Sequence, residues 1–128
     1  AKQYRLLLEA QPENAAVLNN LAWVAGQMKD PKAIEYAEKA NKLAPNQPAV
    51  MDTLAVLLLD KGDSARALDL LKKALELAPQ ASQIRLNYAK ALLKAGQKTE
   101  ARSELDQLAK LGDKFPAQAE VGQLLKGL

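Results

Sequence analysis

Few side chains in this 128-residue sequence could perform chemistry on a substrate. The chain contains no histidine and no cysteine, which removes the commonest general base and the thiolate nucleophile or metal ligand. Ser64, Ser82 and Ser103 have no general base nearby in sequence, and no glycine-rich phosphate loop is present. We therefore predict no catalytic residue, no cofactor, no metal site and no enzymatic activity.

Two pairs of charged residues have spacings that suit binding better than catalysis. Asp52 and Asp60 are separated by two helical turns, or about 12 Å, which is too far for a carboxylate dyad. Lys90 and Lys94 are one turn apart and could hold a carboxylate or a phosphate. The alternative is that the two lysines are solvated, or that they pair with Asp52 and Asp60 across a groove.

Composition points to helix packing and limits the classes of partner. Hydrophobic residues make up 48% of the chain but aromatic residues only 4%, so leucine, alanine and valine must form the core. The net charge of +3 comes from 18 basic and 15 acidic residues that are interleaved along the sequence. Without a run of like charges or a long apolar stretch, we expect no nucleic-acid partner and no membrane insertion by this chain.

A fixed period organises the sequence. Residues of the same type recur 33 or 34 positions apart: Pro12, Pro45 and Pro79, and likewise Ala33, Ala67 and Ala101. Such a period is typical of stacked helix pairs, which usually offer a binding surface. Alanines at the repeated positions would let two helix axes approach to the short end of the roughly 8–10 Å range.

The amphipathic segments predict one domain, 1–128, with three full units at residues 15–46, 47–80 and 81–114. Residues 1–14 would be the second helix of a truncated unit, so the sequence reads as a fragment of a longer array. Its uncovered apolar surface predicts self-association through residues 1–12. Residues 115–128 would form a capping helix. There Val121, Leu124 and Leu125 cover the last unit, while Lys114, Gln118 and Lys126 face water.

These units resemble the tetratricopeptide repeat (TPR), a helix–turn–helix repeat of 34 residues. The second unit carries the family consensus most fully, at Leu54, Ala55, Leu58, Gly62, Ala67, Leu71, Ala74 and Pro79. The first unit departs by a one-residue deletion near Lys29 and Asp30, and the third has Tyr88 for leucine and Asp113 for the closing proline. The resemblance implies an all-α, right-handed solenoid of antiparallel helix pairs with a concave protein-binding groove.

The family's groove positions fall on the first helix of each unit. Transferred to this sequence, they are Asn19, Trp23 and Gln27, then Asp52, Val56 and Asp60, then Leu86, Lys90 and Lys94, with Asn20 and Asn87 beside the groove. Trp23 is either an interface anchor or a side chain packed on a neighbouring helix, in this chain or in an upstream repeat. Asn20 and Asn87 would hydrogen-bond a peptide backbone or a neighbouring turn.

We therefore expect a non-enzymatic scaffold that binds a peptide or a partner helix of unknown identity in this groove. The alternative is a structural segment that only ends a longer array. Two stretches, 18–23 and 30–40, and the ending from Phe115 to Leu128 are similar to the C-terminal end of the TPR protein of bacterial PEP-CTERM/exosortase systems. That resemblance implies a lipoprotein on the periplasmic side of the envelope, associated with exopolysaccharide and protein sorting. Without it, a cytoplasmic location is expected.

Overall fold

The computed structural model describes residues 14–128, which form seven α-helices and no strand. The helices are α1 (Ala15–Gln27), α2 (Ala33–Leu43), α3 (Pro48–Lys61), α4 (Ser64–Leu77), α5 (Ser82–Lys94), α6 (Lys98–Ala109) and α7 (Gln118–Lys126). A short 3₁₀ turn, Gly112–Lys114, precedes α7. The predicted all-α fold is confirmed. The predicted first helix and the self-association surface at residues 1–12 lie outside the described residues.

The helices stack in the order of the chain. Each unit is a pair in extensive contact, α1 with α2, α3 with α4, and α5 with α6. Neighbouring units meet where the second helix of one packs against the first helix of the next. The first helices also contact one another, α1 with α3 and α3 with α5. This arrangement places α1, α3 and α5 side by side and makes a common surface from their exposed faces.

Small buried residues allow the helices to approach. The alanines at the repeated positions are all buried: Ala22, Ala55 and Ala89 on the first helices, and Ala33, Ala67 and Ala101 on the second helices. Fully buried leucines such as Leu18, Leu54 and Leu71 fill the space around them. Because each unit leaves part of its apolar face for the next, buried residues of all three units join one hydrophobic cluster that extends as far as Ala91. A second cluster, around Leu86 and Leu105, lies at the C-terminal end.

The C-terminal segment covers the last unit. Val121 is fully buried in a hydrophobic cluster with Phe115 and Leu105, and Leu124 and Leu125 pack against the same cluster. This arrangement agrees with the predicted covering role of these three aliphatic residues.

Gln118 differs from the expectation that it faces water. Its Nε2 donates hydrogen bonds to the carbonyl oxygens of Leu108 at 2.7 Å and Gly112 at 3.0 Å. Leu108 lies in the last turn of α6 and Gly112 in the 3₁₀ turn that follows, so Gln118 adds a side-chain donor to two carbonyl oxygens that already accept backbone N–H groups. The side chain therefore attaches α7 to the preceding unit.

The same left-handed turn joins the two helices of each unit. The residue at this place has a positive φ in all three: 56° at Lys29, 101° at Gly62 and 80° at Gly96. The following residue donates its N–H to the carbonyl five residues earlier, at 2.8 Å in every unit. Lys29 thus stands where the other units have glycine. The one-residue deletion lies after it, at the start of α2.

Two glycine-to-alanine substitutions should have opposite effects on stability. Gly62→Ala places a Cβ in a left-handed turn, which should lower the free energy of unfolding by about 1 kcal/mol. Gly122→Ala lies within α7, where nothing stands within 4 Å of the added Cβ, and should raise it by roughly 0.5–1 kcal/mol. Urea unfolding of both variants checks this, and shifts of the same sign would contradict it.

Candidate functional site

A cavity of about 310 Å³ lies among the three first helices. Its lining comprises Trp23, Gly26 and Gln27 from α1, Asp52, Thr53, Val56, Leu57 and Asp60 from α3, and Gln83 and Asn87 from α5. Six of the predicted groove residues therefore share one cavity: Trp23, Gln27, Asp52, Val56, Asp60 and Asn87. The cavity spans all three units, so it depends on how they stack rather than on any one of them.

Trp23 is the most exposed large hydrophobic side chain among the described residues, with 55% of its surface accessible. It lies on α1 at the cavity, near Val56 of α3. Within residues 14–128, no helix buries Trp23. Packing of Trp23 against a helix of an upstream repeat stays a prediction.

Asp52 and Asn87 form a polar contact between two units. Asn87 Nδ2 donates to Asp52 Oδ1 at 2.8 Å, and Gln83 Nε2 donates to Asn87 Oδ1 at 3.4 Å. Burial raises the pKa of the Asp52 carboxyl, and the hydrogen bond from Asn87 offsets part of that rise. Asn87, itself buried, thus pairs with a side chain of α3 instead of the neighbouring turn considered from sequence.

The prediction of Leu86 as a groove residue is wrong. Leu86 is fully buried in the C-terminal hydrophobic cluster with Phe115 and Val121. The terminal segment covers this face of α5, so Leu86 supports the fold and offers no surface to a partner.

Lys90 and Lys94 also lie outside the cavity lining. Lys90 Nζ pairs with the Glu120 carboxylate of α7 at 2.7 Å, and Lys94 is exposed. The alternative in which Lys90 pairs with Asp52 or Asp60 is therefore wrong. Since both partners of the Lys90 pair are partly exposed, it contributes little to stability.

Two predicted asparagines of α1 are placed apart from the cavity. Asn20 is exposed. Asn19 is partly buried, and its Oδ1 is fully buried without a hydrogen-bond partner in the described structure.

The cavity is also lined by Thr53, and by Gly26, Leu57 and Gln83, which the sequence did not indicate as groove residues. A Cβ added to Gly26 would stand 2.7 Å from Leu57 Cδ2, so the glycine allows α1 and α3 to meet at the cavity wall. A glycine inside an otherwise apolar helix is a signal of such close approach and could have identified this position. Gln83 precedes Asn87 by one helical turn on α5.

The described residues also limit what else the surface could hold. Between residues 14 and 128, no three acidic side chains come close enough together to hold a metal ion. In the same part of the chain, no helix has the length and apolar character needed to cross a membrane.

Comparison with known proteins places the fold. Residues 58–125, more than half of the chain, match the tetratricopeptide repeat family. The chain belongs to the TPR family. It is 35% identical over 121 residues to the TPR repeat-containing protein PA4299 of Pseudomonas aeruginosa. This alignment covers 92% of the TPR chain and 46% of the relative, so the chain spans about half the length of that relative.

Solved TPR structures superpose closely. YrrB, a TPR protein with an unusual peptide-binding site, matches with a TM-score of 0.79 and 18% identity, covering 95% of this chain and 62% of YrrB. The Yersinia enterocolitica type III secretion chaperone SycD, solved with a peptide of the translocator YopD, matches with a TM-score of 0.76 and 18% identity. That match covers 86% of this chain and 88% of SycD. These likenesses confirm the TPR solenoid.

Asp52→Asn should stabilise the TPR chain at neutral pH but not in acid. Because the folded-state pKa of Asp52 is raised above 3.8, the folded protein binds this proton more tightly than the unfolded chain. The resulting stability is complete below the unfolded pKa and is lost as the pH rises through the folded pKa. Asparagine avoids that loss, and its Oδ1 can still accept from Asn87.

Urea unfolding at about pH 4 and about pH 7 measures the effect of Asp52→Asn. The matched control is Asp69→Asn, an exposed residue of α4, which should change stability little at either pH. An Asp52→Asn gain of equal size at both pH values would contradict the assignment.

Proposed function

We propose that this TPR chain is a non-enzymatic scaffold whose surface on α1, α3 and α5 binds a peptide or a partner helix. The observation that carries the proposal is the exposed Trp23 at a cavity shared by three units. Tryptophan is enriched among residues that dominate binding energy, because its large ring is apolar and its N–H can donate. The peptide-binding site of YrrB and the peptide complex of SycD support this use of the fold.

The size of the cavity indicates how a partner would be held. At about 310 Å³ it is near the lower end of ligand pockets, which span roughly 300–1,000 Å³. It therefore accommodates a few side chains, while the rest of the bound segment lies along the surface. Trp23 and Val56 supply apolar contacts, and Gln27, Asp52, Asp60 and Asn87 supply polar ones. Asn19, Asn20, Lys90 and Lys94 do not line the cavity, so only a longer partner would reach them.

Trp23→Ala should weaken capture of the partner about tenfold or more, because truncating an interface anchor typically costs at least about 2 kcal/mol. The side chain is exposed, so the fold should remain intact. Leu77→Ala is the matched control: this leucine is 47% exposed on α4, away from the cavity, and its loss should not affect binding. Trp23 is the sole tryptophan of the chain, so its fluorescence reports occupancy directly. Equal capture by both variants would contradict the placement.

A second candidate is a purely structural role, as the capped end of a longer TPR array that self-associates through residues 1–12. The buried contacts of Phe115 and Val121 favour it, because they close the last unit with a helix that lies outside the repeats. In that case the Trp23→Ala and Leu77→Ala variants would capture every partner equally well.

We also propose that the full-length protein works in the bacterial envelope, in exopolysaccharide or protein-sorting assembly of the PEP-CTERM/exosortase type. The support is the similarity of stretches 18–23 and 30–40 to TPR lipoproteins of those systems, together with a bacterial relative. An antibody against this chain should detect the protein in the envelope fraction of its source cells. Detection only in the cytosolic fraction would contradict this location.

A further inference from the structure

The cavity has a charge opposite to that of the whole TPR chain. The chain carries a net charge of +3, yet the ionisable residues of the lining are the two aspartates, Asp52 and Asp60. No lysine or arginine lines this cavity, although Asp60 also lines a neighbouring cavity with Lys29 and Lys61. Lys90, one turn after Asn87 on α5, pairs with Glu120. Electrostatic complementarity therefore favours a cationic partner at this place.

The two carboxylates can accept further donors. Asp52 Oδ1 is occupied by Asn87 Nδ2, but within residues 14–128 no hydrogen bond reaches Asp52 Oδ2 and no ion pair involves Asp52. Asp60 is exposed and likewise has neither a hydrogen bond nor an ion pair in the described part of the chain. The carboxylates lie about 12 Å apart along α3, so a single cation cannot contact both. Two cationic groups on one partner could each contact one carboxylate.

Spacing along α3 suggests the form of the partner. Asp52, Val56 and Asp60 follow one another at steps of four residues, or about 6 Å each. In an extended peptide, alternate side chains lie on one face at steps of about 6.6 Å. A basic residue, an apolar residue and a second basic residue at alternate positions would therefore match this row.

The apolar residues of the lining agree with this basic–apolar–basic spacing. Val56 lies midway between the two aspartates along α3, and Trp23 of α1 lines the same cavity. Both would contact the central apolar side chain. The tryptophan ring would also attract a neighbouring guanidinium or ammonium group through its electron-rich face.

We propose that the segment bound in this groove is an extended cationic peptide in which two arginine or lysine side chains, four residues apart, face Asp52 and Asp60 while the residue midway between them packs on Val56 and Trp23. The inference rests on the proposed function and names the chemistry of the partner. It also assigns a binding role to Asp52. Burial of this carboxylate opposes folding at neutral pH, and a bound cation would favour its charged form.

Three labelled peptides test the charge of the partner. One contains Arg-Ser-Leu-Ser-Arg between flanking glycines, and the others replace both arginines with glutamine or with glutamate. Fluorescence anisotropy with the full chain should show the arginine peptide binding about tenfold tighter than the glutamate peptide, with an affinity that falls as salt is raised. The comparison is stringent, because non-specific attraction to a chain of net charge +3 would favour the glutamate peptide.

Variants test the place of binding. Asp60→Asn should lower the affinity for the arginine peptide about three- to fivefold, as expected for the loss of one exposed ion pair. Asp60→Lys should lower this affinity about tenfold or more. Asp69→Asn removes the same charge from α4 and should have no effect. Because Asp60 is exposed, these changes leave the fold intact.

The outcomes separate this inference from the proposed function. If the glutamine or glutamate peptide binds as tightly as the arginine peptide and Trp23→Ala still weakens binding, the cationic preference is overturned while the groove stands. If the arginine peptide binds but neither Trp23→Ala nor Asp60→Asn matters, both are overturned. If no peptide binds, the cationic inference is overturned. The proposed scaffold function is then decided separately, by whether the Trp23→Ala variant captures its partner less well than the Leu77→Ala control.

Discussion

The structure depends on the close approach of neighbouring helices at small side chains. Ala22, Ala55 and Ala89 have no exposed surface, and Gly26 leaves space for the Leu57 side chain where α1 meets α3. Because the backbones come together there, the three first helices stand side by side and their outward residues line one cavity. A larger side chain at any of these positions would separate the helices that form its walls.

Much of this arrangement could be predicted from the sequence because helical periodicity and the repeat are local properties. They predict the helix pairs, and the resemblance to the TPR family then implies that Trp23, Asp52, Val56 and Asp60 share the groove surface. Leu86 was misplaced for a different reason. Its burial depends on the terminal segment, which does not follow the repeat and whose docking is set by contacts distant in sequence.

The hydrogen bond between Asn87 and Asp52 could not be predicted for a related reason. It joins residues of different units, so it depends on how one unit is rotated relative to the next, and several polar residues of α3 could have met Asn87. Its consequence is a conflict between folding and binding. Asp52, one of the two aspartates that give the cavity its negative charge, is buried at a cost to the folded state. The hydrogen bond from Asn87 offsets part of that cost, and a bound cation or protonation would offset more.

The positive φ of Lys29 places an unfavourable backbone conformation in the first unit alone, since the other two units have glycine there. In a stack of units with nearest-neighbour contacts, the unit of lowest intrinsic stability opens first. Trp23 belongs to that unit, while Asp52 and Asp60 belong to the next. A ligand that spans both would hold the first unit closed. If this strain makes the first unit the first to open, ligand affinity and local unfolding of α1 and α2 are thermodynamically linked.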